Sequence, residues 1–295
     1  MANFADRLAA LVEERRSQIC LGLDPDPAKL AGDGAEPGDP EAPAAELAAA
    51  AVAEHCRRLI EAAGPACVAV KPQLACFERL GAPGWRALEE ASAAASEAGL
   101  LVVADGKRGD VPVTAAAYAQ ALVGETPTPW GPVGGLGADA FTANPLLGRD
   151  ALEPLVAAAA EAGAGVFALV RTSNPGAADL QDLPAPEAPL HERLAAIVDE
   201  LSGRLLGESG LSGMGAVVGA TEPQRFARMR ELMPRSIFLI PGVGAQGGRP
   251  ELLGAAFAAG RAAGLVAASR GIAADPDPAT AAERLRAAVW EISTA

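Results

Sequence analysis

Lysine is scarce in this chain: Lys29, Lys71 and Lys107 stand against 21 arginines among 295 residues. Where arginine is the default cation, a retained lysine points to a compact ammonium that can release and regain a proton. A guanidinium cannot do that near neutral pH. Lys107 lies in Asp105-Gly106-Lys107-Arg108-Gly109-Asp110, directly after the apolar run Leu100–Ala104. Lys71 follows another apolar run, Ala66–Val70, whereas Lys29 falls in a loop and reads as solvated. Alternate residues of an extended segment face the same way, so Asp105 and Lys107 are expected to enter one cavity, with Lys71 arriving from a neighbouring strand end. Such a cluster keeps its members ionised and suits proton transfer to an anionic substrate. Asp110 has two readings, as a member of this set or as the cap of a helix over Val111–Val123.

A second group suits phosphate. Ile240-Pro241-Gly242-Val243-Gly244-Ala245-Gln246-Gly247-Gly248 and Ala267-Ala268-Ser269-Arg270-Gly271-Ile272 each follow an apolar run. Glycine-rich turns and a helix N-terminus present backbone N–H groups to an anion, and Arg270 adds a bidentate donor. Gln246 sits where a flexible loop can close over a ligand. Ser173 and Asn174 read either as ligand contacts or as turn residues. Asp24, in Asp24-Pro25-Asp26-Pro27, reads as a plain turn or as a partner for sugar hydroxyls. His55 and His191 fall within or at the start of helices and read as structural.

These groups need strands to aim them. Eight short apolar runs recur: 19–23, 66–70, 100–104, 138–141, 165–170, 215–218, 236–240 and 264–268. Helical patterns separate them, at 44–63, 84–98, 113–123, 149–162, 189–207, 223–233, 250–259 and 277–292. Runs without polar alternation fit parallel strands buried on both faces, and eight strand–helix units read as a (β/α)₈ TIM barrel in a single domain over 1–295. A doubly wound open sheet is the alternative. Sites in such barrels gather at the C-terminal strand ends, and the two candidate phosphate loops then follow strands seven and eight, a common phosphate position. The charged stretch Met1–Ser17 reads as an amphipathic helix ahead of the barrel (Phe4, Leu8, Leu11, Val12), not a secretory signal. The stretch 31–43 reads as a mobile insertion, and 124–137, around Trp130, and 174–189 as irregular loops.

Composition narrows the function. A net charge of −13 disfavours nucleic-acid and anionic-membrane surfaces. No run of apolar residues is long enough to span a bilayer. Cys20, Cys56, Cys67 and Cys76 form no C-x-x-C pair and read as free thiols in a reducing cytoplasm. No histidine cluster suggests a metal site.

The pattern Asp105-x-Lys107-x-x-Asp110, preceded by Lys71, resembles the orotidine 5′-phosphate decarboxylase family. Gly22-Leu23-Asp24-Pro25, Val70-Lys71-Pro72-Gln73, Thr172-Ser173-Asn174-Pro175-Gly176 and the two glycine-containing loops agree with it. The Asp-x-Lys-Arg-Gly-Asp form and the long loop after the first strand are similar to the bacterial second subgroup. Gly106 departs from the alanine more usual there, and Pro112-Val113 also differs.

The resemblance implies cofactor-free and metal-free decarboxylation of orotidine 5′-monophosphate to UMP and CO₂, in the cytoplasm and as a homodimer. Lys107 would donate the proton, Asp105 would press on the substrate carboxylate, and Lys71 would balance Asp105 and meet the ribose. Asp110, with Thr114 nearby, would reach the partner's site. Asp24 would bind ribose hydroxyls and Ser173 the pyrimidine. Pro241, Ser269, Gln246 and Arg270 would lie at the phosphate end. A Mg²⁺-dependent sugar-phosphate decarboxylase or lyase on the same scaffold is the alternative, followed by a non-catalytic phosphate binder and a Schiff-base lyase.

Overall fold

A computed structural model describes residues 2–30, 42–184 and 186–293. The strands are β1 (Ile19–Leu23), β2 (Ala69–Pro72), β3 (Leu101–Arg108), β4 (Glu125–Thr126), β5 (Val133–Gly134), β6 (Ala140–Ala143), β7 (Gly165–Arg171), β8 (Ser212–Val218), β9 (Ser236–Pro241) and β10 (Gly264–Ala268). The helices are α1 (Phe4–Arg15), α2 (Ala44–Ala63), α3 (Leu74–Glu78), α4 (Ala82–Glu97), α5 (Pro112–Leu122), α6 (Arg149–Ala162), α7 (Ala177–Leu180), α8 (Leu190–Ser202), α9 (Arg225–Leu232), α10 (Arg270–Ala273) and α11 (Pro278–Ile292).

Eight parallel strands close a barrel in the order β1-β10-β9-β8-β7-β6-β3-β2. This is the expected (β/α)₈ architecture, and the closed ring rules out the open sheet. Strand side chains alternate as the pleat requires. Ile19, Leu21 and Leu23 pack outward among the helices, while Cys20 packs inward. The inward set is mostly small or aliphatic (Ala69, Val103, Ala140, Leu265), with Phe167 besides, and leaves one end of the barrel to be plugged. Helix α1 is the plug. Phe4, Leu8 and Val12 are fully buried there, and Phe4 meets Phe167 edge-on at 5.7 Å. A Cβ at Gly165 would approach the Phe4 ring to 2.5 Å, so glycine makes the seat. Burying each of these three side chains contributes about 2 kcal/mol. With the N-terminal end filled, chemistry is left to the opposite end.

The seam between first and last strands is tight. Ile19, Cys20 and Leu21 pair with Val266, Ala267 and Ala268. A Cβ on Gly22 would come within 2.6 Å of the Ser269 Cβ, so the approach needs glycine.

Several elements differ from the sequence reading. β2 begins and ends later, which places Lys71 inside the strand. β6 shifts likewise and takes in Thr142. The expected loop at 124–137 carries the antiparallel pair β4–β5, with Trp130 exposed at its turn. The helix expected over 250–259 is absent. Three single 3₁₀ turns, Pro250–Leu252, Gly254–Phe257 and Arg261–Ala263, take its place. The buried Arg230 ties two of them to the preceding unit: its guanidinium donates to the carbonyls of Met233, Ser236, Ala256 and Ala263 at 2.7–3.0 Å and lies 3.8 Å from the centre of the Phe238 ring. Burial pushes this guanidinium down to about 10. Residues 31–41 of the anticipated insertion lie outside the described residues.

Arg230→Met is expected to lower stability by about 3 kcal/mol, because four buried carbonyls lose a charged donor. Urea unfolding checks the loss, and KM should stay near the wild-type value since Arg230 lies away from the cavity.

Candidate active site

At the C-terminal end of the barrel lies a cavity of about 600 Å³. Asp24, Lys71, Asp105, Lys107, Ser173, Pro241, Gln246, Ser269 and Arg270 all line it. The structure therefore unites most residues singled out from sequence.

Asp105 is the hub. Its Oδ2 accepts from Lys71 Nζ at 2.5 Å and from Gln73 Nε2 at 3.1 Å. Its Oδ1 accepts from Lys107 Nζ at 2.7 Å and from Thr142 Oγ1 at 2.8 Å. Each carboxylate oxygen thus holds two donors. Burial opposes the charge on Asp105, but the Lys71 and Lys107 ammoniums outweigh it and hold the carboxyl well below the usual carboxylate range. Burial also opposes the charge on Lys71, yet Asp105 and then Asp24 raise that amine above its ordinary value.

Lys107 reaches Asp105 by a route that simple alternation does not describe. Its φ is +49°, in the left-handed region, so Asp105-Gly106-Lys107 is not a plain extended segment. The pairing of β3 with β6 is interrupted at this point: Ala104 faces Phe141, and the next aligned pair is Arg108 with Ala143. Three residues of β3 therefore bulge opposite Thr142 alone. Left-handed backbone at a lysine costs about 1–3 kcal/mol and persists only where the surroundings enforce it. Thr142 Oγ1 accepts the Lys107 N–H at 2.9 Å.

Gln73 and Thr142 were assigned no role from sequence. Gln73 could have been found by its period-two spacing from Lys71. Thr142 ended an apolar run, as other site residues do, but its contacts depend on the bulge.

Across the cavity, Ser173 Oγ donates to Gln246 Oε1 at 2.8 Å and joins the loops after β7 and β9. The second loop turns through Gly242, Gly244 and Gly247 at φ +97°, +72° and +90°, conformations that favour glycine. Behind Ser173, the buried Arg171 donates to Asp182 through Nε and Nη2 at 3.0 Å, and Nη2 also bonds Glu222. His191 Nδ1 contacts Gln181 O at 2.7 Å, which fits its structural reading. Arg270 is exposed at the start of the one-turn α10, with no ion pair among the described residues. Leu169, Val217 and Leu239 give the cavity an apolar side.

Asp110 and Thr114 do not line this cavity. The anticipated cap is also unmet: Val111 takes the N-cap position of α5 without a side-chain bond, and Asp110 Oδ1 accepts from its neighbour, Val111 N, at 2.7 Å. The four cysteines are free, and burial pushes the thiols of Cys20 and Cys56 up to about 12. Among the described residues, no group of three or more His, Cys, Asp or Glu is placed to hold a metal, and no helix is long and apolar enough to cross a membrane.

A sequence profile of the orotidine 5′-phosphate decarboxylase / HUMPS family matches residues 17–285. The chain belongs to this family. The orotidine 5′-phosphate decarboxylase of Rhodopirellula baltica is 40% identical over 279 residues, covering 92% of this chain and 88% of that protein. That of Deinococcus radiodurans is 40% identical over 270 residues, with 92% and 89% covered. The solved OMP decarboxylase of Leishmania donovani superposes with a TM-score of 0.75 at 35% identity, covering 99% of this chain and 100% of that one. The decarboxylase family membership thus agrees with the resemblance first carried by Asp105, Lys107 and Asp110.

Asp105→Asn is expected to cost about 3 kcal/mol at neutral pH, because the buried Lys71 loses its counter-charge. A carboxyl depressed in the folded state adds stability that is full above its unfolded value, about 3.9, and fades as pH falls toward the lower folded value. The gap in unfolding free energy between wild type and Asp105→Asn should therefore be flat above about pH 5 and narrow below about pH 4. Denaturant titrations across that range check the sign.

Proposed function

We propose that this cavity works as a cofactor-free decarboxylase site in which a preset ammonium meets a developing carbanion. The chain decarboxylates orotidine 5′-monophosphate to UMP and CO₂ in pyrimidine biosynthesis. The observation that carries the assignment of roles is the cluster of Asp105, Lys71 and Lys107 in the same cavity as the two loops suited to phosphate. The relatives named as decarboxylases favour the nucleotide over a sugar phosphate.

In this reading the bond from the ring carbon to the carboxylate breaks and leaves its electron pair on that carbon. Lys107 stabilises the pair by charge and then delivers a proton, and its neutral amine regains one from water. Asp105, held ionised, has no proton to donate and offers the substrate carboxylate repulsion and no hydrogen bond. Loss of neutral CO₂ relieves that contact, so the interaction acts more on the ground state than on the transition state. The apolar side formed by Leu169, Val217 and Leu239 suits a neutral product. Lys71 holds Asp105 ionised and meets the ribose with Asp24.

Ser173 takes the pyrimidine, and Pro241, Ser269, Gln246 and Arg270 surround the phosphate. Binding energy from that remote end draws the loops together over the reacting carbon. The Ser173–Gln246 bond supports such coupling, because it already links the base end to the phosphate end.

Asp110 and Thr114 belong to the partner's site in a homodimer. Support comes from their place off their own cavity and from the exposed apolar Val111 and Val113 beside them, which suit burial against another chain. The chain works as one barrel domain in the cytoplasm, a setting that agrees with its free thiols. The Asp-x-Lys-Arg-Gly-Asp sequence favours the bacterial second subgroup.

Wild type should consume orotidine 5′-monophosphate in EDTA, read by absorbance, and Lys107→Ala should lose at least about 10³-fold in kcat. Near-normal turnover by Lys107→Ala would refute the proton-donor role, and complete inhibition of wild type by EDTA would refute metal-free chemistry. Mixing Lys107→Ala with Asp110→Ala should restore activity if partners share sites. Subunit exchange without recovery would sink that arrangement.

A further inference from the structure

The bulge opposite Thr142 points to a residue that the proposed chemistry does not yet include. Thr142 is 1% exposed, and its hydroxyl faces the cavity. That hydroxyl is engaged in both directions. As acceptor it takes the Lys107 N–H at 2.9 Å, and as donor it bonds Asp105 Oδ1 at 2.8 Å. It therefore ties the proton donor's backbone to the carboxylate that also grips the proton donor's ammonium.

Regular pairing of β3 with β6 lapses between Ala104 and Arg108 and resumes where Asn144 N donates to Arg108 O at 2.8 Å. Within that gap the Lys107 N–H has no strand carbonyl to meet and finds the Thr142 hydroxyl. The same residue has φ +49°, a conformation rare for a side chain of this kind. The lysine side chain is 44% exposed, and Asp105 is its sole ion-pair partner among the described residues. So little else directs the ammonium that its position depends on the backbone from which it springs.

We propose that Thr142 is a positioning residue for Lys107: its hydroxyl clamps the bulge and holds the lysine backbone left-handed, so that the ammonium stands preset beside Asp105. The inference rests on the decarboxylase reading, because it assigns Lys107 the proton transfer. It adds that the transfer depends on a hydroxyl from the adjacent strand. Binding of the ribose and phosphate, made by other groups, does not depend on it.

Valine matches threonine in shape and in β-branching and lacks only the hydroxyl. Thr142→Val leaves the Lys107 N–H without its acceptor and lets the bulge relax, which swings the ammonium away. A misplacement of about 1 Å can cost on the order of 100-fold. The test compares kcat and KM for orotidine 5′-monophosphate in wild type, Thr142→Val, Thr142→Ser and Lys107→Ala, with UMP affinity and thermal melting measured for each.

Thr142→Val should lose about 10- to 100-fold in kcat with KM and UMP affinity within about threefold of wild type, and Thr142→Ser should stay within about fivefold in kcat. The inference is overturned if Thr142→Val keeps kcat within threefold, if the loss lies in KM, or if Thr142→Ser is as damaged as Thr142→Val. If Thr142→Val does not fold, Thr142→Ser and Thr142→Ala decide on the same readouts. An inactive wild type would instead refute the decarboxylase reading, and an active Lys107→Ala would refute the role of the lysine itself.

Discussion

A buried carboxylate with four donors is the constraint on which this molecule turns. Asp105 is 5% exposed and beside the almost fully buried Lys71. Taken singly, either ion would cost several kcal/mol to desolvate. Together with Lys107, Gln73 and Thr142, each serves as the other's solvent. The donors come from three adjacent strands, β2, β3 and β6, whose parallel pairing brings their ends to one point. The helices outside, and the plug formed by α1 below, keep those ends fixed.

Fixed charge suits the reaction. In the proposed cofactor-free reaction, a carbanion must be met by charge that is already in place, since reorganising water or side chains during the step would add to the barrier. The left-handed backbone at Lys107 and the filled acceptor positions of Asp105 show where that cost is borne, in the resting protein. The opposite side of the cavity, proposed to take the phosphate, is built differently. Its glycine-rich loop follows β9 and is backed by 3₁₀ turns instead of a long helix, so the adaptable part of the cavity lies opposite the rigid part.

Much of this was legible in the residues. The scarcity of lysine picked out Lys71 and Lys107, and eight buried-looking runs spaced by helical patterns specified a barrel. The features that were not legible have a common cause. The 3₁₀ turns that replace a helix over 250–259 include Ala256, whose carbonyl bonds Arg230 from an earlier unit, a contact of which local pattern carries no trace. The contact between Asp105 and Lys107 was expected for the wrong reason, because period-two alternation assumes regular pairing and β3 bulges there. Thr142 was visible only as the end of an apolar run, since its partners lie 35 and 37 residues away along the chain. Asp110 carried a second reading as a helix cap because a carboxylate before a helical pattern often is one, yet Val111 stands between it and the first turn.

The seam at Gly22 has a further meaning. Asp24 leaves the first barrel strand, while Ser269 and Arg270 leave the last, and their cavity exists only where β1 and β10 pair. During synthesis, all eight barrel strands must emerge before those residues can meet. The charged cluster of Lys71, Asp105 and Lys107 is available far earlier, on an incomplete sheet still open to water. A nascent chain therefore carries its reactive charges well before it can hold a nucleotide, and catalytic competence arrives in one late step, when the ring closes.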